Sequence, residues 1–296
     1  MNSHHYSFLK YFGHNFIATF QENSGAKVYY NTLVNIDDVF IKYGIISRQD
    51  LVTDLLEWSD LYIAGRLHKP VEILRKTTNA ELQTALQLNL RSAVHAALLL
   101  LPESFTEYDF YHTISNLSYG GDFRMTFGEN KNKVTNIVKP QIPNFRNLYK
   151  PVIQHLHDYV DFPMITHDDV QLKSKVSDGS TNDAPKIEQV STELLEPSVY
   201  CKQDINPLAK LHHLNQLPRW PQKAITRFWN RGSAGQDTED VLRAIAYDLE
   251  CGAIVNQCIK DIVWRSSVRQ SMKGILTAGV VKSVKYSSKK IYKMIQ

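Results

Sequence analysis

Alternating and helical patterns of apolar residues divide the chain into readable pieces. Val28, Tyr30, Thr32 and Val34 alternate with Tyr29, Asn31 and Leu33, and Val39, Ile41, Tyr43 and Ile45 repeat the pattern. That period of two predicts two strands, and the polar residues 35–38 between them predict a hairpin turn. Phe40 and Ile46 share the other face with Lys42, so the sheet is expected to be covered on both sides, with an anion beside the lysine. A third strand is predicted over residues 61–67. It ends among Arg66, His68, Lys69 and Pro70, placing cations at strand ends, where α/β proteins tend to hold ligands.

Helical spacing marks residues 7–20, 50–58 and 79–101; the last carries the stripe Leu82, Leu86, Leu90, Val94 and Ala97 and stops at Pro102. Residues 106–116 read as another helix. Residues 119–127 and 133–138 read as a hairpin about a turn at 128–132, giving the helix, helix, hairpin outline of a winged helix. Further helices are expected at 208–217, 221–230 and, capped by Asp237, from Thr238 to about residue 249.

Composition narrows the class. A chain of 296 residues with 43% hydrophobic residues can bury a substantial core, and its length suggests two domains. The net charge of +4 matters less than its distribution, because the nine cations from Lys260 onward face one acid, Asp261. Interleaved with Ile275, Val280, Val281, Ile291 and Ile295, this basic end suits either an interfacial helix on anionic lipid or a helix docked on its own core. Three cysteines without zinc-like spacing suit a reducing compartment, and Cys251 and Cys258 are read as core residues on one helical face. No apolar run reaches the roughly 18 residues of a membrane span, and residues 1–5 are neither a secretory signal nor a presequence. Residues 174–185, poor in apolar side chains, read as an exposed loop.

Candidate chemistry is sparse. Asp37 and Asp38 are read as turn formers rather than metal ligands. His155 and His157, with Asp158, and the pair His212 and His213 are read as surface or packing histidines for want of a second cluster at ligand spacing. In YGGDFRM, Gly120 and Gly121 permit close backbone approach, and Asp122 and Arg124 would share one face of a strand. An ion pair joining elements and a phosphate-binding arginine oriented by its aspartate both fit that spacing. The expected second helix of the winged helix carries Glu107 and Asp109 and no lysine or arginine, which disfavours nucleic acid as a partner.

The segments YYNTLV, IKYGIIS, LYIAGRLHKPV, LPESF, LSYGGDFRM, NIVKP and SSVRQSMKGILTAG resemble the mitochondrial translocator assembly and maintenance family of CTP-dependent phosphatidate cytidylyltransferases. The resemblance covers most of residues 6–153 and resumes from about residue 238. It implies CTP and phosphatidic acid as substrates, Mg²⁺ as cofactor, and a peripheral place on the matrix side of the mitochondrial inner membrane. Asp122 and Arg124 become catalytic candidates, Lys42, Tyr43, Arg66, Lys69, Lys139, Arg269 and Lys273 substrate-binding candidates, and the metal carboxylates stay unassigned. The family's Gly-Ser turn and acidic strand are not found before the first helix. The expected architecture is therefore α/β (α+β). It comprises a nucleotidyltransferase-like mixed sheet shortened at its start (1–75), a winged-helix-like domain (76–155), divergent helices (156–236) and a basic, membrane-associating helical region (237–296). A non-catalytic membrane-surface maintenance protein and a winged-helix nucleic-acid binder are the alternatives.

Overall fold

The computed structural model describes residues 7–127, 130, 132–162, 200–232 and 235–278. A 3-10 turn, Ser7–Phe12, runs into α1 (Gly13–Asn23), which packs with Leu9, Ile17 and Tyr29 in a small satellite core. The strands β1 (Tyr29–Ile36) and β2 (Val39–Ile45) pair antiparallel. Asp37 and Asp38 form the two-residue turn between them, with φ of 48° and 63°. Aspartate tolerates this left-handed region better than most residues, so the turn-former reading holds.

The hairpin is not covered on both sides. It forms a two-stranded sheet of its own, and Ile36, Val39, Phe40 and Ile45 are exposed, Phe40 to 68%. The third strand is also absent. Ser47 caps α2 (Arg48–Glu57), and the carboxylate of Asp54 in its last turns accepts hydrogen bonds from the backbone N–H groups of Asp60, Leu61, Tyr62, Ile63 and Ala64 at 2.8–3.2 Å. A strand would spread those five donors along alternate sides; one carboxylate gathers them only if the chain curls around it. Residue 61 takes a positive φ of 50°, and the curl continues into the single helical turn α3 (Ala64–Leu67).

Asn79 caps α4 (Ala80–Leu100), the helix at the centre of the main core. After β3 (Ser104–Thr106), Thr106 and Asp109 close a capping box on α5 (Glu107–Asn116). The expected hairpin after α5 is helical instead, as α6 (Arg124–Phe127) and α7 (Lys133–Val138). Val134 and Val138 lie one turn apart and are both buried, and Thr135 Oγ1 meets the Tyr108 hydroxyl at 3.1 Å. Packing against α5 thus outweighs the strand preference of the β-branched run KVTNIV. No winged-helix hairpin forms among the described residues.

A 3-10 turn leads from α7 into α8 (Ile142–Ile153), followed by β4 (Val160–Asp161) and β5 (Tyr200–Gln203), and β5 lies between β3 and β4 in an antiparallel sheet. The Gln203 amide donates to the carbonyls of Leu98, Leu101 and Pro102, satisfying the end of α4. The helices α9 (Pro207–Asn215), α10 (Arg219–Trp229) and α11 (Thr238–Ala246), the last capped by Asp237, fall near their expected places. They lead to α12 (Cys251–Ala278). Cys251, Val255, Cys258, Ile259 and Val263 bury one face of the first half of α12, which docks on the core. All three cysteines are buried and free, and burial pushes the Cys258 thiol up to about 12. The expected loop at 174–185 and the basic residues from Lys282 onward lie outside the described residues. No helix among the described residues is long and apolar enough to cross a membrane.

Candidate functional site

The curl around Asp54 carries Tyr62 to the ring of Tyr30 on the first hairpin. Tyr30 on β1 lies across Gly44 on β2, where a Cβ would meet its ring at 2.6 Å, so only glycine admits this arrangement. The rings of Tyr30 and Tyr62 are 6.2 Å apart. Lys42 Nζ stands 4.3 Å over Tyr30, and the Arg124 guanidinium 5.9 Å over Tyr62. Burial raises both phenols above their ordinary range; Arg66 and Arg124 act in the opposite direction on Tyr30, and Arg124 on Tyr62. Contact geometry brings Arg124 to Tyr62, while Arg66 enters only as a charge felt at Tyr30.

Arg124 is held from behind. Asp122, at the turn before α6, accepts from the Arg124 backbone N–H at 2.9 Å and from its Nε at 2.9 and 3.1 Å, while Nη2 bonds the second oxygen. The aspartate side chain is 6% exposed and the arginine 35%, so a buried carboxylate fixes a guanidinium that reaches the surface. Their geometry is a local fork at a helix start, not two positions on a strand face. Gly121 makes the turn possible: a Cβ there would sit 2.2 Å from the carbonyl oxygen of Lys260 on α12.

Lys69 extends the cationic set inward. Its buried ammonium donates to the Gly65 carbonyl and, at 2.9 Å, to Ser118 Oγ, and it lies 4.9 Å from the Tyr119 ring. Lys133 stands 5.2 Å from the same ring. Burial, with Arg66 and Lys133 nearby, lowers the Lys69 ammonium to about 7. Nothing in the sequence marks Lys133 as a site residue, because its segment reads as one strand of a hairpin rather than as a helix packed beside Tyr119.

The remaining candidates are placed elsewhere. Tyr43 follows Lys42 on a strand and therefore faces the opposite side, paired in register with Asn31. Lys139 is exposed after α7. Lys273 is buried and donates to the carbonyls of Gln21 at 3.0 Å and Ser24 at 3.1 Å, so it ties α12 to the end of α1. Arg269 pairs with Asp60 at 3.1 Å. Gln270 joins this tie, accepting from Ala26 N–H and donating to Val28 C=O. Direct contacts thus bring Lys42, Asp122 and Arg124 of the expected residues together around Tyr30 and Tyr62, Arg66 is felt there as a charge, Lys69 sits with Lys133 beside Tyr119, and Lys273 ties α12 to α1.

Cations over half-buried phenol rings, backed by one buried carboxylate, suit a ligand with several phosphates and a flat ring. Mg²⁺ fits less well. It requires oxygen ligands in an octahedron, and here both oxygens of Asp122 are engaged by Arg124. No group of converging carboxylates stands beside it among the described residues. A groove of about 720 Å³ lined by Leu99, Leu101, Asn116, Ile205, Leu249 and Asn256 shares no lining residue with the cluster.

Residues 1–293 match the family described as "Phosphatidate cytidylyltransferase, mitochondrial". The chain belongs to this family. A Xenopus laevis protein of that name is 43% identical over 295 residues, spanning 100% of this chain and 78% of its own length. Its Danio rerio counterpart is 44% identical over 99% of this chain and 77% of its own length. The Drosophila melanogaster protein is 45% identical over 98% and 78%. The match runs through the divergent middle as well as through the segments that carried the resemblance.

Proposed function

We propose that this phosphatidate cytidylyltransferase family member transfers CMP from CTP to phosphatidic acid, giving CDP-diacylglycerol and pyrophosphate for mitochondrial phosphatidylglycerol and cardiolipin synthesis. The observation that carries the reading is the match of residues 1–293 to a family named for that reaction. In the step, a phosphate oxygen of phosphatidic acid forms a bond to the α-phosphorus of CTP. The bond from that phosphorus to the bridging oxygen breaks, and pyrophosphate leaves with the electron pair. Both reacting groups are anionic, so their approach requires fixed positive charge. Lys42, Arg66, Arg124 and Lys133 supply it, Asp122 orients Arg124, and Tyr30 and Tyr62 offer rings for the cytosine. Mg²⁺ enters the proposal as the ion accompanying the triphosphate, with no residue assigned to it.

One substrate is a lipid, and the surface offers a place to meet it. Tyr11, Phe12 and Phe16 are exposed near the start, and Met272 and Ile275 are exposed on α12. Lys273 links the two elements, lying 5.9 Å from the Phe20 ring. These side chains, with the basic residues that follow, favour a peripheral position on the anionic matrix face of the inner membrane.

Labelled CTP incubated with the full chain, Mg²⁺ and vesicles containing phosphatidic acid is expected to give labelled CDP-diacylglycerol. Arg124→Ala is expected to lower turnover by at least a hundredfold while the protein melts as a folded one. No lipid product from a folded wild-type chain overturns the reading; full turnover by the variant removes Arg124 from the site.

A further inference from the structure

Three histidines that sequence spacing assigns to surface or packing meet between α4 and α9. His95 is fully buried and His213 is 2% exposed, and their Nδ1 atoms are 2.9 Å apart. Two ring nitrogens rest at that distance when one donates a proton and the other accepts it. That shared proton is the arrangement two neutral rings adopt. A neutral imidazole carries one N–H. The donor ring is then left with a bare Nε2 and the acceptor ring with its proton on Nε2, and both Nε2 atoms are buried without a hydrogen-bond partner. A cation held on the Nδ1 side leaves both Nε2 atoms as they are, so its place is the other edge of the rings, where the two Nδ1 atoms are joined by a single shared proton.

His212 completes the set. It is half-buried, and its ring stacks on Tyr159 at 4.4 Å with an interplanar angle of 11°. One ligand nitrogen from each of the three rings lies within 4.8 Å of the others. Tetrahedral Zn²⁺ with bonds of about 2.0–2.1 Å places its ligand nitrogens roughly 3.3 Å apart, so the close pair must open by a few tenths of an ångström and His212 must swing inward. Neutral imidazole is the ligand form that Zn²⁺ requires. Of the charges nearby, Asp204 favours a cation at His213, while Arg91 disfavours one at His95 and His212 from an exposed position where solvent screens it.

We propose that His95, His212 and His213 form a Zn²⁺ site that clamps α4 to α9, separate from the tyrosine and cation cluster. The chain, purified without a histidine tag and stripped by chelator, is titrated with Zn²⁺ and, in parallel, with Co²⁺. Expected are one tightly held Zn²⁺ per chain after dialysis, a higher melting temperature with the metal, and a tetrahedral visible spectrum with Co²⁺. His212→Ala removes a half-exposed ligand and leaves the buried pair, so it should fold; it is expected to weaken Zn²⁺ affinity at least tenfold and abolish the thermal gain. His95→Gln is expected to do the same. A folded wild-type chain that retains no Zn²⁺, or variants with unchanged affinity, overturns the site and leaves a hydrogen-bonded pair.

Discussion

Asp54 and Asp122 are both nearly buried carboxylates, and they do opposite work. Asp54 is surrounded by main chain, with five N–H donors from five consecutive residues, and none of its bonding reaches the surface. Asp122 bonds chiefly to one side chain, Arg124, which carries its orientation outward to Tyr62. Where backbone saturates a carboxylate, the carboxylate shapes the chain; where an arginine does, it positions a charge. The first should fail as unfolding and the second as lost turnover.

Asp54→Ala should show the largest effect. It removes the acceptor for five buried or half-buried donors, each costing about 1–3 kcal/mol when left without a partner, and only some of them can turn to water. A loss of about 4 kcal/mol or more is expected, read by urea unfolding. A loss below about 1 kcal/mol would mean that the curl at residues 60–64 holds without its carboxylate.

Gly121→Ala tests both halves of the contrast together. The new Cβ would press on the α12 backbone at Lys260, which cannot yield as a side-chain tip could. A loss of about 1–3 kcal/mol is expected. Turnover should fall with it at temperatures where the variant remains folded, because Asp122 follows directly. Unchanged activity would separate the close approach from the site.

Asp122→Asn acts mainly on function. The amide keeps an acceptor for the Arg124 backbone but loses the charge and half of the fork, so the guanidinium is no longer fixed. Stability should fall by only about 1–2 kcal/mol, while turnover drops at least tenfold. The reverse pattern, a large stability loss with turnover intact, would make the pair structural.

The features legible in the sequence were those set by a few neighbouring residues. Asp237 caps its helix as expected, the helices expected from residues 79 and 106 begin within a residue of those places, and Asp37 and Asp38 turn the hairpin. The misread features depend on partners distant in the chain or on a choice between competing preferences. Residues 61–67 have strand-like composition, but Asp54 captures their backbone. Residues 133–138 are rich in β-branched side chains, yet Val134 and Val138 bury as one helical face. Lys42, Arg66 and Arg124 each stand out in an apolar or glycine-rich setting, but the meeting of Lys42 with Tyr30 and of Arg124 with Tyr62 leaves no local mark. Lys273 lay in the same matched segment as Arg269 and proved to be a tie between α12 and α1. His95 was hidden by the apolar run around it.

The smallest effect concerns Asp60, whose N–H donates to Asp54 and whose carboxylate meets Arg269. Burial first, and the charge of Asp54 second, raise its carboxyl to about 6, against the opposing pull of Arg269 and Lys27. A carboxyl raised in the folded state binds its proton more tightly than in the unfolded chain. Its contribution therefore favours folding at low pH and is lost as pH rises from about 4 to about 6, becoming constant above that. Asp60→Asn removes this dependence and relieves the repulsion on Asp54, so the variant's stability relative to wild type should climb through that window by an amount of the order of 1–2 kcal/mol. Urea unfolding of both proteins between pH 4 and 8 measures the difference. A slope of the opposite sign would show that Arg269 governs Asp60 and holds it ionised, which would place this carboxylate with Asp122 as a positioner of arginine rather than with Asp54.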